Sequence, residues 1–356
     1  MNSNKYCVIM AGGVGSRFWP KSRRSMPKQF LDILGSGKSF IRQTYLRFSK
    51  MIPTDKFLVV TNEAYRHLVE EHIPELAPNQ ILCEPIGRNT TPSICYAAYY
   101  LLKNDPTAEM IVTPTDHFIN QTDEFLEAVA ECVDFALKNN ALLTLGIRPT
   151  HPETGYGYIQ ASDMQHISKV KCFTEKPSLE IAQTFLLHKE FFWNSGIFVW
   201  KVQSIVDAIK IHLPDYHALF DSIKDSFDTP REAESIACVY SECKPISIDY
   251  GVMERADNVY VRCGDFGWSD IGTWGAVYQH SPKDNHHNAS SGDAFTFSSR
   301  NCMISLPADK IAVVSGLDDY IVVDTEDVLM ICPRHEEQNI KKFIDEVKYN
   351  KGDKFL

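Results

Sequence analysis

Residues 6–17 read YCVIMAGGVGSR, a short apolar run followed directly by a glycine-rich segment that ends on a cation. The apolar run has the β-branched and aromatic character of a buried strand. Glycines after a strand let backbone N–H groups approach anionic oxygens without interference from Cβ atoms. The stretch therefore predicts the first strand of an α/β sheet, with a phosphate-binding loop at its carboxyl end.

Strand-like and helix-like stretches alternate beyond this point. The strand-like runs lie at 57–61, 110–112 and 141–145, and the helix-like stretches lie at 39–50, 64–72, 91–103 and 122–139. This alternation predicts an α/β fold with a mostly parallel sheet and crossover helices. Ligands of such sheets bind beyond the carboxyl ends of the strands. We place this domain at residues 1–284.

The pattern changes after about residue 285. Brief strand-like runs lie at 294–297, 302–306, 311–314, 320–323 and 328–332, and a helical tail follows from Glu336. Residues 281–292, rich in Asn, His, Asp and Ser, are the expected connection. We predict a small C-terminal β-rich domain at 285–356, for which a left-handed β-helix is a candidate architecture.

The composition is that of an ordinary globular protein. Of 356 residues, 44% are hydrophobic and 23% are charged, and no stretch is long and apolar enough to cross a bilayer. The first residues lack the pattern of a secretion signal, so we expect a cytoplasmic protein without membrane contact. A formal net charge of −10 argues against nucleic-acid binding. Ten scattered cysteines predict buried thiols rather than disulfides or a zinc site.

Positive charge is nevertheless concentrated beside the glycine segment. The stretch from residue 17 to residue 28 contains five cations: Arg17, Lys21, Arg23, Arg24 and Lys28. The cluster predicts a site for a small polyanion. Two familiar phosphate loops do not match, because a dinucleotide fingerprint needs glycine where Phe18 stands and a Walker A loop needs glycine where Asp32 stands. For this segment alone, a structural turn with solvated basic residues is the alternative.

A longer pattern resembles the sugar-phosphate nucleotidylyltransferase family. Its defining motif is similar to GGVGSRFWP at 12–20 and MPKQF at 26–30. Six further segments resemble the mannose-1-phosphate guanylyltransferase branch: EPIGRNTTP at 84–92, TPTDH at 113–117, FTEKP at 173–177, WNSGIF at 193–198, SIDYGVME at 247–254 and GWSDIGTW at 267–274. The resemblance implies a Rossmann-like nucleotidyltransferase domain that makes GDP-mannose from GTP and mannose 1-phosphate, with Mg²⁺ as cofactor.

The resemblance also shapes what we expect of the end of the chain. No family motif falls within 285–356, so we expect this part to support assembly into a homodimer rather than chemistry. Many bacterial relatives carry an additional isomerase domain. We expect the chain, which ends at Leu356, to lack it and to perform only the transferase step.

Transfer to a sugar phosphate needs cations rather than a general base, because a phosphate monoester has a second pKa of about 6 and is already anionic at neutral pH. Arg17 can hold the β- and γ-phosphates, and Lys28 can point its ammonium group at the α-phosphate. A surface ion pair and a plain turn are the respective alternatives. Further expected nucleotide contacts are Ala11, Gly12, Gly13, Gly15, Ser16 and Thr115.

Two aspartates are candidate magnesium ligands. Asp116 follows a buried-looking strand, and Asp270 would supply a second carboxylate from a distant part of the chain. An aspartate in a Thr-Pro-Thr-Asp turn is more often a cap or the start of an Asx-turn. The family resemblance is what implies that Asp116 and Asp270 are the catalytic, metal-binding pair.

The resemblance also implies where the base and the sugar bind. The guanine-facing segment runs from Glu84 to Thr90 and includes Arg88 and Asn89, although Asn89 and Thr90 could instead simply cap the next helix. The expected sugar-phosphate residues are Gly157, Glu175, Lys176, Asn194 and Asp249. Of these, Glu175 and Asn194 would bind hydroxyls and Lys176 the phosphate. The aromatic residues Trp193, Phe198 and Trp200 are expected in the core.

Other functions stay open at this point. A nucleotide-sugar-dependent glycosyltransferase also has an α/β nucleotide domain and acidic metal ligands, but it leaves the segment from 12 to 28 unexplained. A silent regulatory subunit would have no need to keep Arg17, Lys28, Asp116 and Asp270 together. A nucleotidylyltransferase for another hexose 1-phosphate is the nearest alternative.

Overall fold

In a computed structural model, which describes residues 4–356, the chain divides into two compact units. Of the described residues, the first unit comprises 4–12, Thr44–Thr115 and Ile119–Trp268, and the second comprises Gly13–Gln43, Asp116–Phe118 and Ser269–Leu356. The division does not fall at 284, and the domain boundary predicted there stays a prediction. Residues 1–3, which belong to the segment where no secretion signal was found, lie outside the described residues.

The strands up to residue 269 alternate with helices, as the sequence predicts. They are β1 (Lys5–Ala11), β2 (Phe57–Asn62), β3 (Ile81–Glu84), β4 (Glu109–Pro114), β5 (Phe118–Ile119), β6 (Leu142–Ile147), β7 (Tyr158–Ala161), β8 (Ile167–Thr174), β9 (Phe191–Lys201), β10 (Val259–Gly264) and β11 (Trp268–Ser269). The helices are α1 (Phe40–Phe48), α2 (Arg66–His72), α3 (Thr90–Asn104), α4 (Thr122–Lys138), α5 (Leu179–Leu186), α6 (Val202–His212), α7 (Pro214–Ser222) and α8 (Glu232–Glu242). The four helices predicted before residue 140 are confirmed.

Nine of these strands form one sheet in the order β3-β2-β1-β4-β9-β6-β10-β8-β7. The four strands from β3 to β4 are parallel, with Val8 paired to both Leu58 and Val112. The long strand β9 then lies antiparallel between β4 and β6, so the sheet is mixed. The phosphate segment leaves the carboxyl end of β1, a central strand, as the α/β pattern predicts.

The core of the first unit lies between the sheet and α3, α6 and α7. Tyr99 of α3 stacks on Phe220 of α7 with ring centroids 5.7 Å apart. Trp193, Phe198 and Trp200 are buried in β9, which confirms that these alternating aromatics are core residues. All ten cysteines are free thiols, and six of them are buried. None of the helices formed by residues 4–356 has the length and apolar character needed to span a bilayer.

The second unit contains the small C-terminal β-structure. Its strands are β12 (Ala289–Ser291), β13 (Asp293–Phe297), β14 (Met303–Ser305), β15 (Ile311–Ser315), β16 (Tyr320–Asp324) and β17 (Leu329–Pro333), and its helices are α9 (Trp274–His280) and α10 (Ile340–Lys351). β12, β14 and β16 are parallel, with Ala289 beside Met303 and Met303 beside Ile321. β13 and β15 form a second parallel pair. Parallel strands that alternate between two stacks are the pattern of a β-helix, whose left hand stays a prediction.

Two features of this unit differ from the sequence analysis. β12 lies inside the segment predicted to be a plain connection. The phosphate segment packs in this unit, because Phe18 and Trp19 share one buried cluster with Trp274 and Ile321. The rings of Phe18 and Trp274 meet in a T-shaped arrangement with their centroids 5.3 Å apart.

Candidate active site

The glycine segment turns sharply at Gly15. This residue has a φ of 74°, in the left-handed region that favours glycine. A Cβ at this position would lie 2.6 Å from the Cβ of Lys28. Ser16–Phe18 then form one 3₁₀ turn. Glycine is required here because the loop approaches the stem of the lysine too closely for any side chain.

The buried ammonium group of Lys28 joins two further segments to the loop. Its Nζ lies 2.6 Å from Oδ2 of Asp116 and donates to the backbone oxygen of Ile271 at 3.0 Å. The backbone N–H of Lys28 donates to the carbonyl of Val14 at 3.3 Å. The structure therefore brings the loop, Lys28, Asp116 and the segment next to Asp270 together.

Of the two predicted metal ligands, Asp116 contacts Lys28 directly, and Asp270 immediately precedes the residue whose carbonyl Lys28 binds. Burial raises the pKa of Asp116, but the charges of Lys28 and His117, together with hydrogen bonds from Lys28 and the backbone, outweigh burial, so the pKa lies below its usual range. Oδ1 of Asp270 accepts from the backbone N–H of Gly272 at 3.1 Å, as in an Asx-turn. No three His, Cys, Asp or Glu side chains of residues 4–356 converge as a metal cage. Mg²⁺ needs no such cage, because it is commonly held by one or two carboxylates together with substrate phosphates. These carboxylates fit that mode.

Arg17 and Lys28 line one cavity of about 180 Å³. The other lining residues are Gly15, Ser16, Phe18, Gly272 and Lys341. Among residues 4–356, the buried Nε of Arg17 finds no hydrogen-bond partner. A buried donor without an acceptor is costly, so this N–H is suited to meet an oxygen of a ligand. The cavity has room for about six water molecules, and its cations suit phosphate groups.

The other predicted loop contacts lie at the ends of β1 and β4. Ala11 and Thr115 are buried, and their carbonyl groups accept from the hydroxyls of Thr61 and Thr44 at 3.0 Å and 2.8 Å. Gly12 and Gly13 are exposed. Ala11 and Thr115 therefore shape the strand ends, whereas the two glycines leave their backbone accessible.

Glu84, at the end of β3, is fixed by two hydroxyl groups. Its Oε1 accepts from Ser93 at 2.5 Å and from Tyr240 at 2.6 Å. Burial raises the pKa of Glu84, and these hydrogen bonds oppose only part of the rise. A Cβ on Gly12 would lie 3.2 Å from Oε2 of Glu84. One oxygen is thus anchored, and the other faces the glycine backbone.

The residues after Glu84 hold the start of α3. The Asn89 side chain accepts from the backbone N–H of Thr90 at 2.9 Å, and the Thr90 hydroxyl accepts from the N–H of Ile248 at 2.9 Å. Nε of Arg88 donates to the carbonyl of Tyr240 at 3.3 Å. The capping role considered for Asn89 is therefore present, while a nucleotide-binding role for these residues stays a prediction.

The five predicted sugar residues lie together in the first unit. A Cβ on Gly157 would lie 2.5 Å from Oε2 of Glu175 and 3.4 Å from Cβ of Asn194. The ammonium group of Lys176 pairs with the Glu175 carboxylate. Nδ2 of Asn194 donates to Oδ1 of Asp249 at 2.8 Å. Four segments that are distant in sequence thus form one polar cluster.

The carboxyl group of Asp249 is strongly affected by its surroundings. Burial and the neighbouring Glu175 carboxylate raise the pKa of Asp249 to about 6. The Asn194 amide orients it, and Oδ1 of this amide accepts in turn from the Thr144 hydroxyl at 2.8 Å. Thr144 and Asn194 together therefore fix the orientation of the Asp249 carboxyl group.

Sequence analysis missed the residues that support these groups. Ser93 and Tyr240 anchor Glu84, and Thr144 anchors Asn194. Ser93 comes one residue after a motif segment, which could have drawn attention to it. Tyr240, Thr144 and the cavity-lining Lys341 lie outside every motif, and no sequence signal marks them.

Comparison with known proteins shows which family the chain belongs to. The family model for nucleotidyl transferases matches residues 6–287, and that for the mannose-phosphate isomerase/GMP-like β-helix domain matches 292–347. A mannose-1-phosphate guanylyltransferase of Klebsiella pneumoniae is 36% identical over 98% of this chain and 75% of its own. One of Escherichia coli is 36% identical over 96% of this chain and 74% of its own. A crystal structure from Thermus thermophilus, described as a mannose-1-phosphate geranyltransferase, superimposes with a TM-score of 0.87 at 28% identity, covering 97% of this chain and 99% of that one.

The mixed α/β sheet and the cationic cavity of the glycine loop, together with the first of these matches, define a nucleotidyltransferase. Within that class, the chain belongs to the mannose-1-phosphate guanylyltransferase family.

Proposed function

We propose that this protein transfers the guanylyl group of GTP to mannose 1-phosphate, giving GDP-mannose and diphosphate. The observation that carries the proposal is the ammonium group of Lys28. It is held by Asp116 and the carbonyl of Ile271 and lines the cavity that Arg17 also lines. Relatives that share about a third of the sequence are named for this activity.

The reaction is one displacement at phosphorus. An anionic oxygen of mannose 1-phosphate attacks the α-phosphorus of GTP and forms the new P–O bond. The bond from the α-phosphorus to the oxygen that bridges to the β-phosphorus breaks, and its electron pair leaves with diphosphate. No base is required for the nucleophile at neutral pH. Arg17 and Lys28 position the phosphates and stabilise the charge that moves onto the leaving group.

Mg²⁺ is the cofactor that we propose, with Asp116 and Asp270 as its protein ligands. When bound, the ion neutralises negative charge on the phosphate groups. Asp116 already compensates Lys28 at 2.6 Å, so one carboxylate serves two cations. The low pKa of Asp116 keeps this group ionised at neutral pH.

We assign the guanine to Glu84 and the segment that follows it. Guanine presents N1–H and N2–H as donors and O6 as an acceptor. Oε2 of Glu84 is the oxygen that Ser93 and Tyr240 leave for those donors. The side chains of Asn89 and Thr90 already bind protein groups. We therefore propose backbone N–H groups of residues 87–89 as the partners of O6.

The first prediction concerns the reaction itself. With mannose 1-phosphate and Mg²⁺, diphosphate release should be fastest with GTP among the four nucleoside triphosphates, and mass spectrometry should find GDP-mannose. Asp116→Asn and Asp270→Asn should each lower turnover at least about a hundredfold. Asp270→Asn should change the thermal unfolding midpoint little, whereas Asp116→Asn should also lower the midpoint, because it leaves the buried Lys28 ammonium without its carboxylate. Full activity in excess chelator would remove the metal assignment. Release of GDP from added GDP-mannose, without nucleotidyl transfer, would instead identify a glycosyltransferase.

The second prediction separates the sugar phosphate from the sugar ring. Lys176→Ala should weaken the binding of mannose 1-phosphate and of glucose 1-phosphate by a similar factor, because the ammonium group binds the phosphate that both substrates carry. Glu175→Gln and Asn194→Ala should change the ratio of the kcat/KM values for the two sugar phosphates, since an unpaired buried partner costs on the order of 1–3 kcal/mol. Measurements at pH 8 keep Asp249 ionised, because its pKa is about 6.

The reverse pattern would show that the sugar subsite is wrongly assigned. In that pattern, Glu175→Gln and Asn194→Ala lower kcat/KM equally for both sugar phosphates, and Lys176→Ala changes the ratio between them.

The third prediction concerns assembly. The predicted homodimer would use the outer face of β13 and β15, where Phe295, Phe297, Ile311 and Val313 are each more than half exposed. Phe295 lies opposite Val313 in the ladder, so these side chains form a continuous apolar surface. Light scattering should give twice the mass of one chain, and the double change Phe295→Ser with Val313→Ser should halve it.

Leu329→Ser is the control for this experiment, because Leu329 is 59% exposed on β17. It should leave the dimer intact. A monomeric wild type, or a serine double variant with unchanged mass, would contradict the proposed interface. The cytoplasmic location stays a prediction.

A further inference from the structure

The C-terminal helix contributes a cation to the cavity of the glycine loop. Of its seven lining residues, six lie within the family motifs, and the seventh is Lys341. Lys341 is the second residue of α10, about 310 residues beyond the end of the loop motif at residue 30. This helix belongs to the part of the chain expected to support assembly rather than chemistry.

The charges around the cavity leave Lys341 without a compensating group. Lys28 is paired with Asp116, and the charge of Arg17 acts on the Glu337 carboxylate. Within the part of the chain that the structure describes, the ammonium group of Lys341 has no hydrogen bond or ion pair. Nε of Arg17 is buried, and no described residue supplies an acceptor for it. An anion with several oxygens would balance the charge of Lys341 and accept a hydrogen bond from Nε of Arg17 at the same time.

The start of α10 is fixed relative to the loop by neighbouring contacts within the second unit. Ile340 is fully buried in the cluster that contains Phe18 and Trp274. The indole N–H of Trp19 donates to the carbonyl of Phe355 at 2.7 Å. A Glu337 carboxylate oxygen accepts from the backbone N–H of Gly275 at 2.7 Å. The backbone of Lys341 is therefore held in place, and only its flexible side chain needs to move to meet a ligand.

We propose that Lys341 binds the phosphates of the nucleotide that leave as diphosphate. The cavity also holds Arg17, the residue assigned to the β- and γ-phosphates, so both cations face the same groups. A lysine is a suitable partner because its ammonium is a compact, rotatable donor. The proposal rests on the proposed function for the identity of the nucleotide, but not for that of the leaving group, which is common to all nucleoside triphosphates.

Calorimetric binding of inorganic diphosphate tests this assignment directly. Lys341→Ala should weaken binding about tenfold, the lower range for a hydrogen bond to a charged group, and Lys341→Arg should restore most of the loss. Lys342→Ala is the matched control, because it removes the same charge from the next residue of the same helix, and it should change binding no more than about twofold. In turnover, Lys341→Ala should raise the KM for GTP and leave the KM for mannose 1-phosphate unchanged.

Two outcomes would overturn the proposal. One is equal diphosphate affinity in Lys341→Ala and Lys342→Ala. The other is an equal rise of the KM for mannose 1-phosphate and for GTP in Lys341→Ala, which would indicate a general disturbance of the helix.

The proposed function can fail separately. If the wild-type protein makes no GDP-mannose but Lys341→Ala still weakens diphosphate binding, the proposed function is refuted and the proposed role of Lys341 is supported. If the wild-type protein makes GDP-mannose but Lys341→Ala binds diphosphate with full affinity, only the proposed role of Lys341 is refuted.

Discussion

The ammonium group of Lys28 is the point on which the phosphate site depends. It lies within hydrogen-bond distance of Asp116 and of the carbonyl of Ile271, while the stem of the same side chain fills the space beside Gly15. A buried cation is stable only when it is paired and hydrogen-bonded. Lys28 thus requires a carboxylate at 116, a carbonyl next to Asp270 and a glycine at 15. One charge thereby links three of the family motifs physically.

A second constraint comes from the C-terminal part of the chain. The loop aromatics Phe18 and Trp19 are buried in the same cluster as Trp274, Met303 and Ile340. Burial of such large apolar side chains stabilises the loop by several kcal/mol in the usual transfer estimates. The small β-structure therefore supports the geometry of the phosphate loop. Our expectation that this part supports assembly rather than chemistry did not include that role.

The sequence was sufficient to predict the elements that depend on local patterns. β1, β2, β4 and the helices α1–α4 have clear apolar runs or periodicity, and the structure places them where they were predicted. The family motifs also identified the residues that line the phosphate cavity, except Lys341. These features are predictable because the physical requirement, a strand, a helix face or a glycine turn, is met within a few residues.

Features that depend on distant contacts were not predictable in this way. The position of β9 in the sheet follows from pairing with β4 and β6, whose paired residues lie more than forty positions away in sequence. The support of Glu84 by Tyr240 joins residues 156 positions apart, and nothing near Tyr240 indicates that its hydroxyl has a partner. β12 is only three residues long and lies in a polar stretch, so its pairing with β14 leaves no periodic signal.

The central claim, that Lys28 and Asp116 act as one unit, is tested most directly by a double-mutant cycle read by thermal unfolding and by turnover. Lys28→Met alone leaves the Asp116 carboxylate without its cation, so it should lower the unfolding midpoint. Adding Asp116→Asn should recover much of that loss, with a coupling of about 1–3 kcal/mol, while turnover stays lost. If the two changes instead lower the midpoint additively, the ion pair does not organise the site and the account is contradicted.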